Sequence, residues 1–244
     1  MRNIKLTIRY DGTRYSGWQS QSNGRAIQDV IQDTIKIITG EQVSVVGSGR
    51  TDAGVHAEAQ IANFKTRSRL PLKNLRMALN SRLPEDIAIT HIEEAAPAFN
   101  AQKSARSKLY RYTIMNNDYM DPLVRHFAAK SFFRLDLSRM RKAAGYLKGR
   151  HDFKSFQATD GTKRSSVRTV KNIKIAKNGG LVYIYIEANG FLYNMARNIA
   201  GTLVEVGRGK IAAGRVKEIL SKRNRRFSGP TMPAKGLCMV KVRY

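Results

Sequence analysis

Cysteine is almost missing from this chain. Cys238 is the only one in 244 residues, so no intrachain disulfide can form and a reducing compartment suits the protein. It sits in the apolar run Leu237-Cys238-Met239-Val240, the setting of a small buried hydrophobe rather than of a reactive thiol. Long apolar runs are missing as well. No segment approaches the about 20 residues needed to span a bilayer, and the opening MRNIKLTIRYDG lacks the continuous apolar core of a signal peptide. The expectation is a soluble, cytoplasmic protein with no membrane partner. Histidine is scarce, and His56, His91, His126 and His151 show neither the i,i+4 nor the Cys-x-x-Cys spacing that metal sites use. No metal is expected.

Two glycine-bearing runs stop short of being nucleotide loops. Gly47-x-Gly49 follows the strand-like 43–46, but Asp52 stands where a dinucleotide fingerprint needs its third glycine. Gly209-Lys210 is followed by Ile211 rather than Ser or Thr, with Glu205 in the stretch that would have to cradle phosphate. Neither run supports an NTP or NAD site, and the cofactor-binding loop of a tRNA methyltransferase is not found either.

Acidic residues are few. Against 18 Asp plus Glu stand 44 Lys plus Arg, a net charge of +26. Lysines and arginines that neutralise phosphates release condensed counterions, so an excess of this size marks a binder of polyanions, with nucleic acid the first candidate.

The run GSGRTDAGVHAEAQIANF, 47 to 64, carries the strongest chemical signal. Asp52 lies in a tight turn flanked by Arg50 and glycines, between two strand-like segments. Turn propensity alone explains many such aspartates, yet a loop held by a rigid sheet is also where enzymes present a catalytic carboxylate.

Periodicity supplies the frame. Ile4, Leu6, Ile8 and Tyr10 alternate with polar residues as in a half-buried strand. Ile27, Val30, Ile31, Thr34, Ile35 and Ile38 fall at helical spacing. Strands at about 43–47 and 57–65, a helix from near Pro71 and a strand at about 86–93 complete a βαββαβ order. A similar order follows residue 105: a strand through Tyr110, Tyr112 and Ile114, a helix from an N-cap-like Ser138 to Leu147, strands near 169–176 and 181–188, a helix over Phe191–Val206, and a last strand through Val240 and Val242. The reading is an α+β fold of two ferredoxin-like, RRM-like halves, 1–104 and 105–244, with antiparallel sheets meeting at a central catalytic cleft.

Five blocks run through the chain in order: IRYDGTRYSGWQSQ, GRTDAGVHAEAQ, SARSKLYRY, GFLYNMARNIAGTLVEVG and PAKGL. Together they resemble the TruA family of tRNA pseudouridine synthases. The resemblance implies an enzyme that isomerises uridine to pseudouridine at positions 38, 39 and/or 40 of the tRNA anticodon stem-loop, working as a homodimer on tRNA. Pseudouridine formation detaches uracil, turns it and rejoins it through C5 with no net redox change, so no cofactor is needed. By the resemblance Asp52 is the catalytic nucleophile or base, and Arg197 of Met195-Ala196-Arg197-Asn198 is its ion-pair partner. Tyr110 of SKLYRY stacks on the uracil, Leu237 forms an apolar wall, and Arg50 contacts RNA or helps splay out the target nucleotide. Where the family has an FHAR-like block, this chain reads Phe99-Asn100-Ala101-Gln102, which removes positive charge from the docking surface. The rival reading is a non-catalytic RNA-binding protein. The K/R-G-F/Y-G/A-F-V motif of an RRM, which would support it, is not present.

Overall fold

The computed structural model describes all residues except Asn23 and residues 160–164. The elements run β1 Arg2–Tyr10, α1 Ile27–Thr39, β2 Val46–Gly47, β3 His56–Thr66, α2 Leu72–Arg82, β4 Ile87–Ala95, β5 Ser107–Met115, β6 Ala129–Lys130, α3 Leu137–Gly145, β7 Gly149–Asp152, β8 Val167–Asn178, β9 Leu181–Ala188, α4 Met195–Gly207, α5 Arg215–Lys222 and β10 Leu237–Arg243. The class is α+β. Contacts divide the chain into two compact units, Met1–Arg106 with Met239–Tyr244, and Ser107–Cys238. The sequence reading instead splits the chain after residue 104 and leaves the whole last strand in the second half.

In the first unit β1 lies between β3 and β4, antiparallel to both, and the short β2 pairs with β3. This is the β4-β1-β3-β2 order of a ferredoxin-like unit. Alternation fixes the register: Ile4, Leu6 and Ile8 are fully buried, and a slip of one residue would turn them all to the other face. Helix α1 buries Ile27, Val30, Ile31, Thr34 and Ile35. Helix α2 starts directly after Pro71 and buries Leu75 and Leu79. The strand expected over 43–47 shrinks to two residues. The Gln32 side chain accepts the Val45 amide at 3.0 Å and the Gln28 side chain donates to the Val45 carbonyl at 2.8 Å. Helix side chains thus take the backbone groups that a ladder would have used.

In the second unit β9 pairs with β5 and β8, and β7 covers the start of β8. The order β5-β9-β8 repeats the first-third-second arrangement of the first unit. Helix α3 is capped by Asp136, whose carboxylate accepts the amides of Ser138 and Arg139 at 2.9 and 3.0 Å. The cap is therefore two residues ahead of the expected Ser138, which lies inside the helix. Helix α4 is buried on almost every side and begins at Met195 rather than Phe191. Asn194 adopts a left-handed backbone with φ of 57°, and the helix cannot extend back through it.

Tyr15 fixes the loop after β1 through a hydrogen bond from its hydroxyl to Asp86. Burial, then the Asp86 bond and charge, push the Tyr15 hydroxyl up to about 12. A native pKa above the unfolded value of about 10 means that the contribution is complete below pH 10 and lost as pH rises towards 12. Thermal unfolding measured between pH 9 and 11.5 should show Tyr15→Phe losing less stability over this window than the parent. Parallel curves would refute this.

Candidate active site

Asp52 is the first residue of a turn closed by the Val55 amide on the Asp52 carbonyl at 3.1 Å. The turn needs a positive φ at its third position, and Gly54 supplies it with φ of 76°. Behind the turn, main chain lies directly on main chain. Gly17 has φ of 100°, and a Cβ on it would overlap the Thr51 carbonyl. A Cβ on Gly12 would overlap that of Val55. The Trp18 amide donates to the Thr51 carbonyl at 3.1 Å, and the Thr51 hydroxyl meets the Tyr10 hydroxyl at 2.9 Å. Trp18 is buried over Gly47, which has no room for a side chain. Buried Gln60 ties the approach to the turn, accepting from Ser48 Oγ at 2.6 Å and donating to the Gly49 carbonyl at 2.8 Å. Asp52 itself is half-buried, and Arg50 is exposed with its Nε on Gln19 at 3.1 Å. The main chain that carries Asp52 is thus fixed by close backbone contacts behind the turn, and a rigid mount of this kind is the preorganisation that a catalytic group needs.

Tyr110, Arg197 and Leu237 belong to the second unit, whereas Asp52 and Arg50 belong to the first. Tyr110 is buried on β5, with the Phe191 ring edge-on at 4.8 Å. Arg197, on the first turn of α4, donates from Nε to the Met232 carbonyl at 2.7 Å and from Nη1 to Asn194 Oδ1 at 2.8 Å. The left-handed Asn194 is what brings its side chain back to the helix it precedes. Tyr112, two residues along β5 from Tyr110, donates to the Pro233 carbonyl at 2.7 Å. Burial raises its hydroxyl far above the ordinary range, and the Arg197 charge offsets part of that rise. Gly236 packs flat on the Tyr112 ring, and the buried Leu237 follows it.

A network that the sequence did not disclose fastens this segment to α4. Arg225 donates to Asn198 Oδ1 at 3.0 Å, to Thr231 Oγ1 at 2.9 Å and to Ser228 Oγ at 2.8 Å. Asn198, fully buried, is also bonded to Thr231 at 2.6 Å and to the Phe156 carbonyl at 2.8 Å. The partners of Asn198 lie 27 to 42 positions away from it, and no local spacing announces them. Asn198 stands beside Arg197 in the Met-Ala-Arg-Asn block, which was its only available signal. Asn100 accepts the amides of Gln102 and Lys103 at 3.0 and 2.9 Å. It thus makes the turn that leads towards β5, while Gln102 is exposed.

Close packing makes the Arg197 mount brittle. A Cβ on Gly201, one turn beyond Arg197, would overlap the Pro230 carbonyl, and Gly229 leans on the Gly201–Thr202 backbone. Gly201→Ala should cost about 1–3 kcal/mol through overpacking and, by shifting 229–232, loosen the Met232 carbonyl from Arg197. Turnover should fall while RNA affinity holds. Gly214→Ala, where an added methyl meets nothing, should change neither. Melting curves with single-turnover assays on both variants make the check, and equal behaviour would refute the coupling.

Among the described residues no group of three or more His, Cys, Asp or Glu side chains could hold a metal ion, and no helix is long and apolar enough to cross a membrane. A family model described as tRNA pseudouridine synthase matches residues 6–103 and 143–244, and the chain belongs to that family. tRNA pseudouridine synthase A 2 of Clostridium perfringens is 48% identical over 244 residues, covering 100% of both chains. tRNA pseudouridine synthase A of a Thermoanaerobacter species is 45% identical over 244 residues, again 100% of each. A solved archaeal box H/ACA sRNP Nop10–Cbf5 complex aligns with a TM-score of 0.39 at 10% identity, over 96% of this chain and 46% of that one. As a family member the protein is an isomerase that converts uridine to pseudouridine in tRNA.

Proposed function

We propose that the enzyme modifies positions 38, 39 and/or 40 in the anticodon stem-loop, in the cytoplasm, as a homodimer, and without a cofactor. Asp52 attacks the sugar or base, or removes a ribose proton, and Arg197 pairs with it so that it stays ionised in a dry pocket. Tyr110 stacks on the detached uracil, Leu237 walls the pocket, and Arg50 grips the RNA beside the flipped nucleotide, whose unstacking costs a few kcal/mol. The division is between a first half ending near residue 104, which carries Asp52, and a second that carries the other pocket residues. The observation that carries the reading is the Asp52 turn, where Gly12 and Gly17 let two stretches of main chain meet and fix a single carboxylate at the rim of a sheet.

The test is to incubate the protein with unmodified tRNA transcripts and map pseudouridine base by base. Modification confined to 38–40 is the expected result. Modification elsewhere would overturn the site assignment while leaving the enzyme class intact. Size measurements with and without tRNA decide the homodimer.

A further inference from the structure

Lys108 is a lysine with no stated use. It lies on β5 opposite Ala188 of β9, with Tyr110 opposite Ile186. Successive side chains of a strand alternate, so Lys108 and Tyr110 share one face, about 6–7 Å apart along the strand. The nearest acid on β9, Glu187, pairs across from Leu109 on the opposite face and accepts from Ser107 Oγ at 2.7 Å. Among the described residues Lys108 forms no ion pair or hydrogen bond, and burial holds its ammonium below the ordinary lysine range. Lys108 is half-buried, and a cation drawn partly out of water without an anion is costly to a fold. Such a group is kept where its anion arrives from outside.

We propose that Lys108 is a phosphodiester subsite, holding the backbone phosphate next to the uridine that Tyr110 receives. The inference rests on the reading of Tyr110 as the uracil platform. Two residues along the strand, about 6–7 Å, separate the two side chains, a span comparable to that between a nucleobase and an adjoining phosphate. The residue across the ladder from Lys108 is the small Ala188. Lys108 thereby fixes the nucleotide by its backbone without reading sequence, as phosphate contacts do.

The experiment compares the parent with Lys108→Met and Lys108→Arg on anticodon stem-loop RNA. The RNA is either unmodified or carries one neutral methylphosphonate linkage, 5′ or 3′ of the target uridine. For Lys108→Met, Kd on unmodified RNA should weaken roughly tenfold at low salt, with the slope of log Kd against log salt falling by about 0.7–0.9. The rate at saturating RNA should stay within a few-fold, and the melting temperature should not drop, because a desolvated charge has been removed. Lys108→Arg should restore binding. At one of the two linkages, methylphosphonate RNA should bind parent and Lys108→Met equally. Unchanged affinity and slope in Lys108→Met, a lowered melting temperature, or a loss that persists with both neutral linkages would overturn the subsite. A parent enzyme that forms no pseudouridine in the unmodified RNA would overturn the underlying reading, and the subsite with it.

Discussion

Asp52→Asn should fold and bind tRNA as the parent does and form almost no pseudouridine, a loss of roughly 10⁴-fold or more on the scale of removed catalytic groups. The turn explains why the fold survives. Asp52 contributes its carbonyl to the Val55 amide, and the left-handed residue is Gly54. Asparagine favours the same turn position, so only the charge is lost. Single-turnover pseudouridine formation, with Kd measured in parallel, makes the check. Activity within tenfold of the parent would remove Asp52 from the chemistry.

Arg197→Lys is expected to be nearly as damaging as Arg197→Ala, although it keeps the charge. The guanidinium spends Nε on the Met232 carbonyl and Nη1 on Asn194. That fork sets its direction, and a lysine ammonium on a flexible stem cannot reproduce it. Both variants should lower turnover by roughly 10²-fold or more, the scale of a lost preorganised electrostatic partner, with tRNA affinity changed far less. If affinity and turnover fall together, Arg197 is an RNA contact and the proposed pairing with Asp52 is wrong. A fully active Arg197→Lys would show that charge alone suffices.

The elements legible in the sequence are those whose pattern is local. Strand β1 and helices α1 and α2 follow from period-2 and period-3.6 burial, and the Asp52 turn follows from a glycine two residues on. Long-range contacts account for what was misread. Gln28 and Gln32 dissolve most of the expected strand at 43–47, because their side chains reach Val45 from 13 to 17 residues away. Strand β7 and helix α5, at four and eight residues, are too short for periodicity to show. Of the proposed pocket residues, Arg197 and Tyr110 stand out only through family motifs, whereas Asp52 is also marked by its glycine-flanked turn. The clamp of Arg225 and Thr231 on Asn198, and the overlay of Gly17 on Thr51, depend on a folded chain and have no signature of their own.

The membership of the first unit has a consequence for biosynthesis. Met239–Tyr244 belong to that unit, but the whole of Ser107–Cys238 is translated before them. At about 5–20 residues per second, the N-terminal unit leaves the ribosome missing its final segment and waits on the order of ten seconds for it. Through that interval the edge of β3 that receives β10 is open to any other extended chain. The open unit itself carries little of the charge excess; most of the lysine and arginine lies in the polypeptide that emerges behind it, and that like charge disfavours the close approach of a second copy.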